Sequence, residues 1–470
     1  MNNNNLSRRK FLCLSSILST GLILGRPSSA QSLDGHVYDV VIVGAGISGL
    51  VAARHLVSKG IDNILVLEAR SRVGGRTFNH DIGNGYVAEA GGQWVGPTQT
   101  AIHELCSELG IGIFPTYFEG ETVYDIDGDR FTDTYSQDEP SNLELKIDAL
   151  ASTVPIENPW SAPKAIEWDA LSLADWIREE NITGGDEASL ISAARYTLGS
   201  TTEDVSFLYF LYYVQSAESL HVLESMRGGA QDSRIEGGSQ IISLKIAQAL
   251  GNKVQLSAPV SKISQLSTTA VVEIQDQKIQ CQQIIMAMMP SDCEKIEFEP
   301  SLPEKRKLLQ ENWPSSGGGS KINVVYEKPF WRAAGLNGMS FGEGKLQFIV
   351  DNSPPDGQLG VLMILGSQSN SFSEGAAKEQ QVTAELSKLF GPQATQNIGY
   401  HEMFWDSEAY TAGCVSALMP GVLTKYGSAM RGSAGKIHWA GTEASEVWTG
   451  YMEGAVRAGK NAARHAIEAL

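Results

Sequence analysis

The order of apolar and polar positions outlines several elements before any chemistry is considered. From Tyr38 the chain reads YDVVIVGAGISGLVAARHLVSKG. Residues 40–43 form an unbroken β-branched run, as expected of a strand buried on both faces. Glycines follow at 44, 46 and 49, after which Leu50, Ala53 and Leu56 recur at helical spacing. NILVLEAR then supplies a second strand that ends on Glu68. Far downstream, SKINVVYEKPFWR (320–332) alternates as an apolar-rich strand with Lys321 at its start. The last block, IHWAGTEASEVWTGYMEGAVRAGKNAARHAI (437–467), predicts a strand over 437–440. A helix follows from about Met452, packing through Ala455, Val456, Ala462 and Ala463. Glycine- and proline-containing stretches at 227–230 (RGGA) and 313–319 (WPSSGGG) suit crossings between domains.

A strand running into Gly44-x-Gly46-x-x-Gly49, then a helix, then a strand closing on an acid is the context that lets such a turn hold a dinucleotide. Gly44 makes the turn, Gly46 lets the backbone approach a pyrophosphate, and Gly49 lets the helix lie close on the strand. The helix N-terminus, with Ser48 in its first turn, faces the phosphates. Glu68 can accept from ribose hydroxyls. EARSRVGGRT (68–77) adds Ala69, Arg70, Arg72, Gly74, Gly75 and Arg76 straight after the acid, a set of backbone donors and cations suited to a pyrophosphate. The plainer alternative for these arginines is surface salt bridging. Lys321 also has two readings. A cation in a buried strand needs a partner, whereas one at a strand edge can extend its amine to solvent. Trp448 and Tyr451, at i and i+3, read equally as core aromatics.

From about residue 38 to the C-terminus the chain resembles the flavin-containing amine oxidases. EARSRVGGRT, GGQWVGPTQ (91–99), KPFWR (328–332) and the 437–467 block carry the likeness. The resemblance implies an α/β fold: a Rossmann-type FAD-binding domain (38–115, 225–300 and 430–470) interleaved with an α+β substrate domain (116–224 and 301–429). The cofactor implied is FAD. Gly92, Gln93 and Trp94 would lie nearest its isoalloxazine ring, and the backbone of Val260 would meet the adenine. Gly441, Thr442 and Glu443 would sit near the ribityl-phosphate, with Met452 close to the flavin. Lys321 would hold a water beside flavin N5, Tyr451 would form one wall of an aromatic cage for the amine, and Trp405 would pack near the flavin. Cys414, in YTAGCVSALMPG (410–421), falls where monoamine oxidases join a cysteine sulfur to the flavin 8α-methyl, so covalent and non-covalent attachment both stay open. Two features depart from the pattern. Val415 stands where the second cage aromatic is expected, in a bend one residue shorter than in the mammalian enzymes. The sequence also ends at Leu470, directly after the last helix, so no apolar C-terminal anchor is expected.

The activity implied is oxidation of the C–N bond of a primary amine or polyamine to an imine, then aldehyde and ammonia, with electrons passed to oxygen or to a membrane quinone. The alternative is an L-amino-acid oxidase or dehydrogenase giving a 2-oxo acid. Some of those enzymes clamp the carboxylate with an arginine where this chain has Gln93–Trp94. A carotenoid-type desaturase would need neither Lys321 nor Tyr451, and a non-catalytic flavin-binding partner protein rests on fold analogy alone. The resemblance leaves a homodimer open.

Composition narrows the class further. The 470 residues are enough for two or three domains. A formal charge of −18 would repel phosphate backbones, which argues against nucleic-acid binding. The N-terminus carries Arg8, Arg9 and Lys10 ahead of the short apolar run FLCLSSILSTGLILG, then small residues at Ser28 and Ala30. This reads as a signal peptide over 1–30, similar to the twin-arginine type that exports proteins already folded around a cofactor, and implies a periplasmic protein, soluble or peripherally held. An uncut N-terminal anchor is the alternative. Cys106, Cys281, Cys293 and Cys414 have neither zinc-site nor disulfide-ladder spacing, and the eight histidines are scattered, so no metal is expected.

Overall fold

The structure, a computed structural model, describes residues 35–470 apart from 127–128, 135–138, 315–318, 343, 366–371, 373–374, 412 and 414–416. The candidate signal peptide, Cys414 and Val415 therefore lie outside the described residues.

β1 (Val37–Val43), α1 (Ile47–Ser58) and β2 (Ile64–Leu67) form the first unit. β1 runs parallel to β2, with Val40 opposite Ile64 and Val43 opposite Leu67. On its other side β1 runs parallel to the Gln277–Met286 strand. Val40, Val41 and Ile42 are fully buried between helices and sheet, which accounts for the unbroken β-branched run. The sheet grows to eight strands, from Val254–Gln255 at one edge to Glu297–Glu299 at the other, and Ile437–Trp439 joins it beside Gln277–Met286. α1 and the long C-terminal helix Met452–Glu468 share one core, with Leu50, Ala53 and Leu56 from the first and Val456, Ala462 and Ala463 from the second.

A second sheet has seven strands in the order Gly399–Phe404, Ser320–Tyr326, Gly360–Leu365, Phe348–Asp351, Leu336–Gly342, Glu121–Ile126 and Asp129–Asp133. The chain enters this sheet at Glu121, leaves it to build helices and further strands of the first sheet, and returns at Ser320. The two sheets are thus interleaved in sequence. Ser320–Tyr326 lies one strand in from the edge and is buried at all seven positions. Between the visits stands a helical core centred on Phe207–Ser216, whose sequence FLYFLYYVQS is apolar nearly all round and is buried on nearly every side. A small sheet of Trp94–Val95, Ser233–Ile235 and Ile113–Pro115 sets Trp94 opposite Arg234. Among the described residues no helix is long and apolar enough to cross a membrane.

Candidate active site

A cavity of ≈ 1110 Å³ runs from the glycine turn after β1 to the helical core. At its first end Gly44, Gly46 and Ser48 face the Gly74–Gly75 turn. The two turns are stitched together: Gly46 and Gly74 form an isolated parallel bridge, and Gly74 N donates to Ala45 O at 2.9 Å. Gly75 has φ +58°, and a Cβ there would come within 3.2 Å of Gly46 Cα, so only glycine allows this approach. Glu68 is 3% exposed. Its carboxylate accepts from Ala45 N at 2.8 Å and from Arg70 N at 3.0 Å, which holds it at the cavity wall beside Ala69 and Val260.

The three arginines separate. Arg70 lines the cavity, braced by Thr411 Oγ1 at 2.7 Å and Glu408 at 3.4 Å. Arg76 also lines it and pairs with Glu443 at 2.7 Å. Arg72 does not: it donates to Gly75 O at 3.1 Å, and its guanidinium lies 4.4 Å over the Phe78 ring. Burial and the neighbouring Arg70 lower it to about 10. Glu443 stands outside the lining as well, beside a small pocket with Arg306 and Trp439, and pairs with the lining residue Arg76. Gly49 is likewise behind it, where a Cβ would lie 2.0 Å from Gly44 O.

Midway along, Gly92, Gln93, Trp94, Gly441, Thr442 and Met452 line the space. Lys321 joins them, 4% exposed and flanked in its sheet by Leu365 and Met403. Its Nζ donates to Gly91 O at 2.8 Å and to the side-chain oxygen of Gln93, so it is a buried, partnered cation and not one that reaches solvent along an edge. Trp405 is anchored by Nε1 donating to Ala90 O at 2.7 Å. Trp448 and Tyr451 take different fates. Trp448 is fully buried in the helical core. Tyr451 lines the cavity, its ring 4.8 Å from that of Trp448 at 76° and 6.0 Å from that of Tyr213. Thr442 Oγ1 donates to Tyr451 O at 2.7 Å, tying the ring to the loop before the last helix.

The far end contains residues that sequence reasoning missed. Tyr213, opposite Tyr451, belongs to FLYFLYY, where an all-round apolar pattern gives no clue to which ring meets a cavity. Arg195, Tyr196 and Thr197 line the wall from a π-helical turn, Ala193–Thr197. Such turns occur often at functional sites and have no sequence signature. Arg195 Nη1 donates to Gln347 Oε1 at 3.2 Å, and the Tyr196 ring lies 5.3 Å from that of Phe348.

Known proteins match this architecture throughout. The family of flavin containing amine oxidoreductases matches residues 47–467. The chain is 34% identical over 462 residues to amine oxidase [flavin-containing] A of Equus caballus, covering 93% of this chain and 86% of that one. It is 36% identical to a putative flavin-containing monoamine oxidase of Mycobacterium tuberculosis, over 90% of this chain and 95% of the other. Among solved structures, cyclohexylamine oxidase from Brevibacterium oxydans IH-35A superposes with a TM-score of 0.85 at 33% identity, covering 92% of this chain and 99% of that one. Wild-type putrescine oxidase bound to putrescine also gives 0.85, at 32% identity and the same coverage. The residues present fit the FAD of this family. Ser48 Oγ is buried at the helix start without a hydrogen-bond partner, and a Cβ on Gly46 would meet nothing closer than 3.8 Å, leaving room for a ligand against its backbone. The chain belongs to the flavin containing amine oxidoreductase family and is an FAD-dependent amine oxidase.

Proposed function

We propose that the protein oxidises primary amines or polyamines at the carbon bearing nitrogen, giving an imine that hydrolyses to an aldehyde and ammonia. Bound FAD supplies the acceptor for the hydride equivalent. The chain's own residues bind, orient and exclude water. The backbone at Gly46 and Gly75, with Arg70 and Arg76, would hold the pyrophosphate, Glu68 a ribose, and Val260 the adenine. Gly92, Gln93, Trp94 and Met452 would flank the ring system. Tyr451 and Tyr213 would wall the approach of the amine nitrogen, and Lys321 would hold a water at the reacting face. Among the described residues no side-chain base stands out for the amine, which must arrive or become neutral to offer its lone pair.

The observation that carries this reading is the convergence of Lys321, Trp405 and Tyr451 on the cavity that the glycine turns open. The amine reading is favoured over the amino-acid one because Gln93–Trp94 replaces a carboxylate clamp, and because a structural relative holds putrescine. Anaerobic mixing of the yellow protein with a panel of amines and L-amino acids tests it. Bleaching of the flavin band by an amine supports the reading; bleaching by amino acids alone, or by nothing, overturns it. Reoxidation would use oxygen, releasing hydrogen peroxide, or a quinone. The same panel in air with peroxide detection, then with a quinone, decides between them.

Export through the twin-arginine route to the periplasm belongs to the same proposal. Replacing Arg8 and Arg9 by lysine should stop export, and continued export would point to another route. Attachment at Cys414 has an equally direct test: after acid precipitation, a yellow pellet means a covalent link and a yellow supernatant means none.

A further inference from the structure

Lys321 ends a chain of buried side chains that begins at a carboxylate on another strand. Glu89, 1% exposed, accepts from Arg234 Nη2 at 2.7 Å and from Asn352 Nδ2 at 3.3 Å through the same oxygen. Asn352, fully buried, also donates from Nδ2 to Asn323 Oδ1 at 3.1 Å, and Asn323 returns a bond to Glu89 O at 3.0 Å. Asn352 Oδ1 accepts from Gln93 Nε2 at 3.0 Å. Gln93, 2% exposed, turns its oxygen to Lys321 Nζ.

The polarity of this chain is forced from both ends. A carboxylate only accepts, so Asn352 must present its NH2 group to Glu89 and its oxygen to Gln93. Gln93 must then present its own NH2 group to Asn352 and its oxygen to Lys321, whose ammonium only donates. Reversing either amide sets donor against donor. In a buried site such a chain is cooperative, and a broken link leaves unsatisfied groups.

We propose that Glu89, Asn352 and Gln93 are positioning residues for Lys321: a directional chain that fixes where its Nζ points in the cavity. The inference rests on the reading that Lys321 acts at the flavin. A network that merely staples strands together would lower activity whether or not Lys321 were present, and this difference makes the two roles separable.

The test is a double-mutant cycle on FAD-loaded protein, with Asn352→Leu and Lys321→Met singly and together. The flavin is reduced photochemically, so no substrate enters the comparison, and reoxidation is followed in stopped flow. Asn352→Leu should slow reoxidation about fivefold in the wild-type background and by less than about twofold on Lys321→Met, the coupling expected of residues in one network. Equal factors in both backgrounds overturn the positioning role. If Lys321→Met itself changes nothing, the reading of Lys321 falls and the proposal falls with it. Should Asn352→Leu lose FAD, Gln93→Met takes its place with the same expected non-additivity. Gln93→Glu keeps an acceptor for Lys321 but has no hydrogen to give Asn352 Oδ1, so it should slow reoxidation about as much as Asn352→Leu, and a rate within about twofold of wild type would count against the chain.

Discussion

At the scale of single residues, glycines that look alike in the sequence do different work. A Cβ at Gly46 would meet nothing nearer than 3.8 Å, so the fold alone does not demand glycine there. One at Gly49 would lie 2.0 Å from Gly44 O, so helix packing does. Gly46→Val is therefore expected to leave far-UV circular dichroism unchanged while FAD retention falls about tenfold or more, because the backbone can no longer approach the pyrophosphate. A variant that purifies fully yellow would contradict this. Gly49→Ala should instead cost at least about 1–3 kcal/mol through overpacking, read as a lower melting temperature even with excess FAD. Lys321→Met should keep FAD but slow turnover or reoxidation about tenfold or more; unchanged rates would remove it from the mechanism. The choice facing Lys321, a partner inside or solvent at a strand edge, was legible in the sequence, since a cation in an apolar strand is costly. Its partners were not, because Gly91 and Gln93 reach it only through the tertiary fold.

Among elements, what local pattern controls was legible and what distant contacts control was not. β1, the glycine turn, α1 and β2 follow from periodicity because each depends on neighbours within a few residues. The three arginines of EARSRVGGRT were indistinguishable by pattern, and Thr411, Glu443 and Phe78 separate them in space. The joint beneath Tyr213 was equally invisible. Asp169, 1% exposed, accepts from Ser206 Oγ at 2.6 Å, Thr424 N at 2.8 Å and Thr424 Oγ1 at 2.6 Å. It thereby ties Ala165–Ala170 and Val422–Tyr426 to the start of Phe207–Ser216, the helix that carries Tyr213. Asp169→Ala would strand three donors and should destabilise the protein by about 2–4 kcal/mol. The expected signs are a melting temperature several degrees lower and a fall in kcat/KM as Tyr213 loses its seat against Tyr451. Asp169→Asn, which keeps an acceptor, should recover part of both, and a melting point equal to wild type for Asp169→Ala would dismiss the joint.

For the whole molecule, interleaving makes stability a shared property, because each sheet depends on segments far apart in the chain. Three groups shifted by desolvation then give that stability a pH dependence. His80 is lowered from 6.5 to about 4 by burial, His401 and Lys321. His438 is lowered from 6.5 to about 4 by burial and His465. Both are neutral when folded, so the unfolded chain binds more protons between about 4 and 6.5. Their contribution grows as pH rises through that window and is complete above 6.5. Glu224 runs the other way. Burial and the Glu144 carboxylate raise it from 4.5 to about 8, so the folded acid keeps a proton that the unfolded chain gives up. Its contribution is complete below 4.5 and is lost as pH climbs to 8. Among these three groups, two rising terms oppose one falling term between 4.5 and 6.5, and Glu224 sets the slope from 6.5 to 8. The melting temperature of the FAD-loaded enzyme should therefore peak near pH 6.5 and decline towards pH 8. Glu224→Gln stays neutral throughout, so its melting temperature should hold level over that upper range. A decline in the variant as steep as in wild type would assign the alkaline loss to another group.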